Sequence, residues 1–130
     1  MLRNTIIMAV VFMSAVVFSL SSCYKDSTVY PDTEEITRQV SFTTDILPIF
    51  NESCAVSGCH SNGGKAPNLS TASAFNSLTV GNYINTGDPE SSVLYQWMAG
   101  KKATPMPIVG INKNYNALVL AWIKQGANSN

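Results

Sequence analysis

The feature that most limits how this chain can fold is the heptapeptide Cys54-Ala-Val-Ser-Gly-Cys59-His60. It places two cysteines and the chain's single histidine within seven residues, and a polar stretch rich in Gly, Asn, Ser and Thr, residues 61–86, follows it. A domain of about ninety residues with this much loop buries only about 60–65% of its unfolded surface, which is marginal for a self-sufficient core. A covalent staple or a bound group is therefore expected at Cys54–His60 to complete the core.

The first 22 residues stand apart from that domain. Arg3 precedes the apolar run IIMAVVFMSAVVFSL, residues 6–20, which has the layout of an export signal. The alternative, an uncleaved membrane anchor, needs roughly 20 apolar residues, and the run is shorter. It ends in Leu20-Ser-Ser-Cys23, which resembles the lipobox of bacterial lipoproteins. That resemblance implies that Cys23 is acylated and becomes the mature N-terminus. The acidic residues close to Cys23 and at Asp32, Glu34 and Glu35 resemble the outer-membrane address of some bacterial lipoproteins, so a lipid anchor in the outer membrane, on its periplasmic or surface face, is expected. Residues 24–40 are polar, interrupted by Pro31 and without a sustained apolar period. With Cys23 they are expected to form a flexible tether, residues 23–40, and seventeen such residues reach roughly 20–25 Å. The domain proper is then 41–130.

Eight Lys and Arg balance eight Asp and Glu, so no basic field for nucleic acid exists and nucleic acid is not an expected partner. From Ser41 onward the apolar spacing predicts a mostly α-helical domain of three to four helices with long loops. Phe42, Ile46, Ile49 and Phe50 fall at helical offsets, with Thr44 or Asp45 as candidate N-cap and Pro48 acceptable only in the first turn. This helix delivers Cys54 at its end. A second helix is expected from Asp88 as N-cap, Pro89 in the first position and Glu90 near the positive helix start, to a stop at Gly100. Val93, Leu94, Trp97 and Met98 would share its apolar face. Tyr115, Leu118, Val119, Trp122 and Ile123 define the clearest helix, with Lys124 in its last turn and Gly126 at its C-terminal cap. A short helix near Ala72–Thr79 is the only element expected in the polar stretch.

With Cys23 lipidated, Cys54 and Cys59 remain as one pair in an oxidising compartment. Structural zinc needs four ligands, and two cysteines with one histidine fall short. A redox-active thiol pair prefers two intervening residues at a helix N-terminus, whereas four intervene here, after a helix. A plain Cys54–Cys59 disulfide, with His60 adjacent by chance, suits a small exported domain. Covalent haem attachment uses all three residues. Two sulfurs meet the two vinyl groups of one rigid ring, and the next residue reaches the metal. The spacer Ala-Val-Ser-Gly can bridge the same span by bulging outward, with Ser57-Gly58 making the turn.

The blocks DILPIFNESCAVSGCH, GDPESSVLYQWM, PMP and LVLAWIKQGA resemble, in order, small class I-like cytochrome c domains of exported bacterial proteins, including variants with a C-x4-C-H haem motif. The resemblance covers roughly Phe42 to Ala127. It implies a class I-like cytochrome c fold around one covalently attached haem c per chain, with Cys54 and Cys59 in thioether bonds and His60 as the proximal iron ligand. The sixth ligand is implied to be a methionine from the later half of the chain. Met106, between Pro105 and Pro107, is expected in that role, and Met98 in helix packing. Pro67 is expected to supply the carbonyl that accepts from the other ring nitrogen of His60. Trp97, Trp122, Phe50 and Leu118 are expected to pack helices and surround haem. The implied function is that of a monomeric, lipid-anchored electron carrier between redox partner proteins, and not an enzyme, because His/Met ligation leaves no open position at iron. A non-haem lipoprotein interaction module, stapled by a Cys54–Cys59 disulfide, is the alternative.

Overall fold

A computed structural model describes residues 35–130, within the unit Asp32–Asn130. The expected export signal (1–22), Cys23 and most of the expected tether lie outside the described residues. Among the described residues the chain is mostly helical with no strand, and no helix is long and apolar enough to cross a membrane.

A π-helical turn, Phe42–Ile46, runs directly into α1, Leu47–Ser53. Its N-cap is Ser41, not Thr44 or Asp45. The Ser41 hydroxyl accepts from Thr44 N at 3.2 Å, while the Asp45 carboxylate reaches back to Ser41 N at 2.8 Å, a reciprocal arrangement akin to a capping box. Asp45 is also held by both guanidinium nitrogens of Arg38 at 2.8 Å, chiefly a hydrogen-bonding effect that keeps its carboxyl below the usual range. Pro48 explains the wide turn. It has no N–H for the Thr44 carbonyl, and its ring would crowd that carbonyl in a regular α-helix. The π turn precedes it, and Pro48 then sits at the start of α1.

Helix α2 spans Ala74–Val80. The expected second helix is divided. Pro89–Ser91 forms a single 3-10 turn, and α3 is Val93–Met98. The break falls at Ser92, whose backbone is extended (ψ 128) and whose side chain is buried at 1% exposure. Its Oγ accepts from Asn85 N at 2.9 Å and donates to Asn85 O at 3.3 Å, so the preceding loop draws Ser92 out of helical geometry. Asp88 makes no side-chain cap. Of the expected apolar face, Leu94 and Met98 are buried, Trp97 is half-buried and Val93 is 36% exposed.

Helix α4, Lys113–Lys124, organises the rest. Asn112 caps it by accepting from Asn114 N and Tyr115 N, and Gly126 follows its end in a left-handed conformation (φ +98). It packs on the π turn, on the 3-10 turn and on α3. Trp122, 1% exposed, lies 5.2 Å from the Phe42 ring, which in turn meets Phe75 at 5.3 Å and Phe50 at 6.3 Å. Such aromatic pairs add about 0.5–1.5 kcal/mol each beyond the area they bury. The expected tether extends into this core at its end. Val40 is 2% exposed, its N–H donates to Gln125 Oε1 at 2.8 Å, and Gln125 Nε2 donates to Arg38 O at 2.9 Å. The last residues of that stretch therefore pack with the domain.

Candidate functional site

Helix α1 ends at the first cysteine. Cys54 N donates to Phe50 O at 2.9 Å, and the residue then leaves helical geometry (φ −124). The four-residue spacer bulges into solvent, with Val56, Ser57 and Gly58 exposed. Cys59 N donates to Val56 O at 3.0 Å, closing a turn that needs Gly58 at φ +78, a conformation costly for other residues. His60 N donates to Cys54 O at 3.0 Å, so the bulge is shut at its base and its first and last residues are held together.

No disulfide joins Cys54 and Cys59. Cys54 is buried at 9% exposure and Cys59 is half-buried. Burial, with a smaller contribution from the charge of Cys59, pushes the Cys54 thiol up to about 11 from an ordinary 9.0. It is a neutral thiol at physiological pH. The folded chain keeps this proton where the unfolded chain releases it. As long as the sulfur is a free thiol, stability should be intact below pH 9 and fall by about 3 kcal/mol between pH 9 and pH 11. A sulfur in a thioether cannot titrate. The phenols of Tyr95 and Tyr115, whose pKa values are also raised, take stability away over the same range. The thiol is therefore read as the difference in denaturant midpoints between the parent and Cys54→Ala across pH 9–11. A difference that changes with pH, the parent losing more than the variant, marks a free thiol, and a constant one a sulfur already bonded to carbon or to Cys59.

His60 is half-buried and fixed by its ring as well as by its backbone. Its Nδ1 lies 3.0 Å from Pro67 O and 3.2 Å from Lys65 O. Carbonyls only accept, so Nδ1 carries a proton, and in the neutral ring Nε2 is then the nitrogen with the lone pair. Pro67 is buried, and Leu69 N donates to His60 O at 2.7 Å.

Met106 belongs to a different part of the surface. It is half-buried, and its N–H donates to Trp97 O at 3.1 Å, which hangs the 105–107 loop from the end of α3. Met98 is 2% exposed and part of the hydrophobic core. Phe50 and Trp122 are also in that core, while Leu118 and Trp97 are half-buried. An open depression of about 510 Å³ lies beside Ser53 and Pro107 and is otherwise lined by residues 109–115, among them Asn112, Lys113 and Asn114; Cys54, Cys59, His60 and Met106 do not line it. The volume is within the range of small-molecule and cofactor sites, roughly 300–1,000 Å³. Near its polar side Tyr115 donates to Glu52 Oε2 at 3.0 Å, a bond that raises the phenol's pKa and ties the start of α4 to the end of α1. Large aliphatic side chains are exposed in the loop after Met106, with Ile108 at 70%, Val109 at 94% and Ile111 at 52%. Among the described residues, no three His, Cys, Asp or Glu side chains gather into a metal-holding group.

Two contributors have no signal in the sequence pattern. Lys65 acts through its backbone carbonyl, which any residue type carries, and the Glu52–Tyr115 bond joins positions 63 residues apart. Set against family models, curated proteins and solved structures, the chain has no match.

Proposed function

We propose that this chain is a monohaem c-type cytochrome of class I-like fold, an exported electron carrier held to a bacterial outer membrane by lipid on Cys23. The observation that supports it best is the hold on His60, whose Nδ1–H faces two backbone carbonyls, so that in the neutral ring Nε2 is the nitrogen with the lone pair. A neutral imidazole held in this way is prepared to bind a metal through Nε2. The donor set fits a porphyrin, which brings four nitrogens of its own and asks the protein for axial ligands only. This chain offers one imidazole and one loop thioether for those positions, with no cluster of three metal-binding side chains required.

The two thiols suit attachment. Each S–H adds across a vinyl group, the sulfur bonding to one carbon and the hydrogen passing to the other, with no net oxidation. The hydrogen bond from His60 N to Cys54 O keeps the first sulfur near the histidine although four residues intervene before Cys59. The exposed aliphatics Ile108, Val109 and Ile111 offer apolar surface that a ring could cover. When bound, haem supplies a one-electron iron couple. His60 would hold the iron through Nε2, its ring fixed by the carbonyls of Pro67 and Lys65. Met106 would close the other side to small molecules and raise the potential, which favours electron transfer to protein partners over substrate chemistry.

The deciding experiment is the absorption spectrum of protein purified from an exporting bacterial host. A haem c spectrum that survives denaturation and acidified organic extraction is expected, since thioether bonds persist. A haem-free protein with a Cys54–Cys59 disulfide would instead establish the non-haem interaction module. In the same preparation, Cys23→Ser should move the protein from the membrane fraction to the soluble one with its spectrum unchanged. Retention on membranes would mean that the apolar run is an uncleaved anchor.

A further inference from the structure

His60 is gripped at four points. Its N–H and C=O pair with Cys54 O and Leu69 N, and its ring proton faces Pro67 O and Lys65 O. For two carbonyls only two residues apart to converge on one ring nitrogen, the segment after His60 must double back on its own start. It does so through two backbone bonds, Gly64 N to Ser61 O at 2.9 Å and Lys65 N to Cys59 O at 2.7 Å.

That second bond brings Gly64 unusually near the Cys59 peptide. A Cβ placed on Gly64 would lie 2.2 Å from Cys59 O, 3.2 Å from Cys59 C and 3.1 Å from Ser61 O. All three are backbone atoms, and none can swing aside as a side chain would. Its neighbour Gly63 has the opposite character. Gly63 adopts φ +76, but a Cβ there would meet nothing within 4 Å. The adjacent glycines thus answer different needs, Gly63 a left-handed backbone and Gly64 a close approach.

We infer that Gly64 is a positioning residue for His60, acting through the Lys65 carbonyl. Any side chain at 64 pushes the Cys59 peptide away, breaks the Lys65 N–Cys59 O bond and withdraws Lys65 O from Nδ1. The three-centred hydrogen bond becomes a single bond to Pro67, and the ring gains freedom to turn. A second acceptor on Nδ1–H makes Nε2 a stronger electron donor, which favours the oxidised state of a metal bound there. Its loss should raise the reduction potential. The potential readout rests on the haem assignment proposed above, whereas the state of the His60 ring does not.

The test compares Gly64→Ala with Gly63→Ala in the full exported chain. His60 is the only histidine, so its ring nitrogens are assignable by 15N NMR without ambiguity, in the reduced, diamagnetic form if haem is present. Gly64→Ala should speed exchange of the Nδ1 proton by tenfold or more and shift the potential upward. Gly63→Ala should lower the melting temperature through backbone strain yet leave both readouts at parent values. Gly64→Ala with parent exchange and parent potential, or Gly63→Ala matching its effects, would overturn the inference. If the protein comes without haem, the haem assignment falls, and the Nδ1–H tautomer and its exchange still decide the role of Gly64. Should Gly64→Ala not accumulate, couplings across the hydrogen bond in the parent protein decide instead. Couplings from Nδ1 to the carbonyl carbons of both Lys65 and Pro67 are expected, and a coupling to Pro67 alone would overturn the second acceptor.

Discussion

Met106→Ala should abolish the weak red absorption band of a sulfur–ferric iron bond, open the iron to added ligands and lower the potential. The fall should be a measurable part of the roughly 0.8 V over which axial ligands set haem potentials. Met98→Ala should leave all three properties unchanged and lower stability by about 2–5 kcal/mol, as expected for emptying a buried methionine site. The contrast follows from where the two sulfurs are. Met98 is 2% exposed in the core, and α3 is tied to α4 through its carbonyl, which accepts from Asn116 Nδ2 at 3.1 Å. Withdrawing its sulfur from that packing would leave a void. Met106 is half-buried between two prolines, in a loop whose single backbone bond to Trp97 O fixes its height above α3 without using the side chain. Its thioether is free for another task, and the residue after it lines the depression beside Ser53. Spectra and potentials of the two variants measured side by side check the assignment. A lost band in Met98→Ala with a normal one in Met106→Ala would reverse the two roles, and a parent protein without the band would remove the sulfur ligand altogether.

The helical class was legible wherever an apolar period coincided with end signals. Tyr115, Leu118, Val119, Trp122 and Ile123 mark one face of α4, and Lys124 and Gly126 fall at its end. The period was misleading where a side chain bound outside its own element. Asp88-Pro89-Glu90 reads as a helix start, but Ser92 is drawn to Asn85, a loop contact that helix propensity does not encode. Phe42 to Phe50 keeps helical offsets although part of it is a π turn, because one wide turn shifts the apolar positions too little to change which face they share. Ser41, Thr44 and Asp45 are all good capping types, so residue type alone does not choose Ser41 as N-cap. The choice is made by Arg38, which takes Asp45, and by Asn130, whose carbonyl accepts from Thr43 N at 2.9 Å and whose Oδ1 accepts from Phe42 N at 2.9 Å. At the site, Cys54, Cys59 and His60 stand out by residue type. The Gly64 approach does not, since it consists of backbone geometry that is settled only once the loop has closed.

Removing both sulfurs should abolish cooperative folding. The stretch after His60 gives the core Pro67, Leu69, Ala74 and Leu78 as buried side chains before Ser92, with Phe75, Tyr83 and Ile84 only partly buried against it. Helices α1, α2 and α3 have seven, seven and six residues, and isolated helices shorter than about 12–15 residues are marginal in water. Each therefore depends on tertiary packing. A domain of this size has a total stability in the lower part of the usual range of about 5–15 kcal/mol, and a large apolar ring set against the aliphatics of residues 108–111 would contribute on that scale. Serine substitution alone would confound the measurement. At Cys54, 9% exposed, it puts a hydroxyl among apolar neighbours at a cost of about 1–3 kcal/mol. The decisive variant is therefore Cys54→Ala with Cys59→Ala, which removes attachment without adding a polar group, compared with Cys54→Ser with Cys59→Ser. Both should come from the exporting host without haem and show no cooperative thermal transition by circular dichroism. If the alanine pair melts cooperatively near the parent temperature, the helices hold the core by themselves and the dependence on haem is wrong. If only the serine pair fails, the loss belongs to the buried hydroxyl and not to the missing ring.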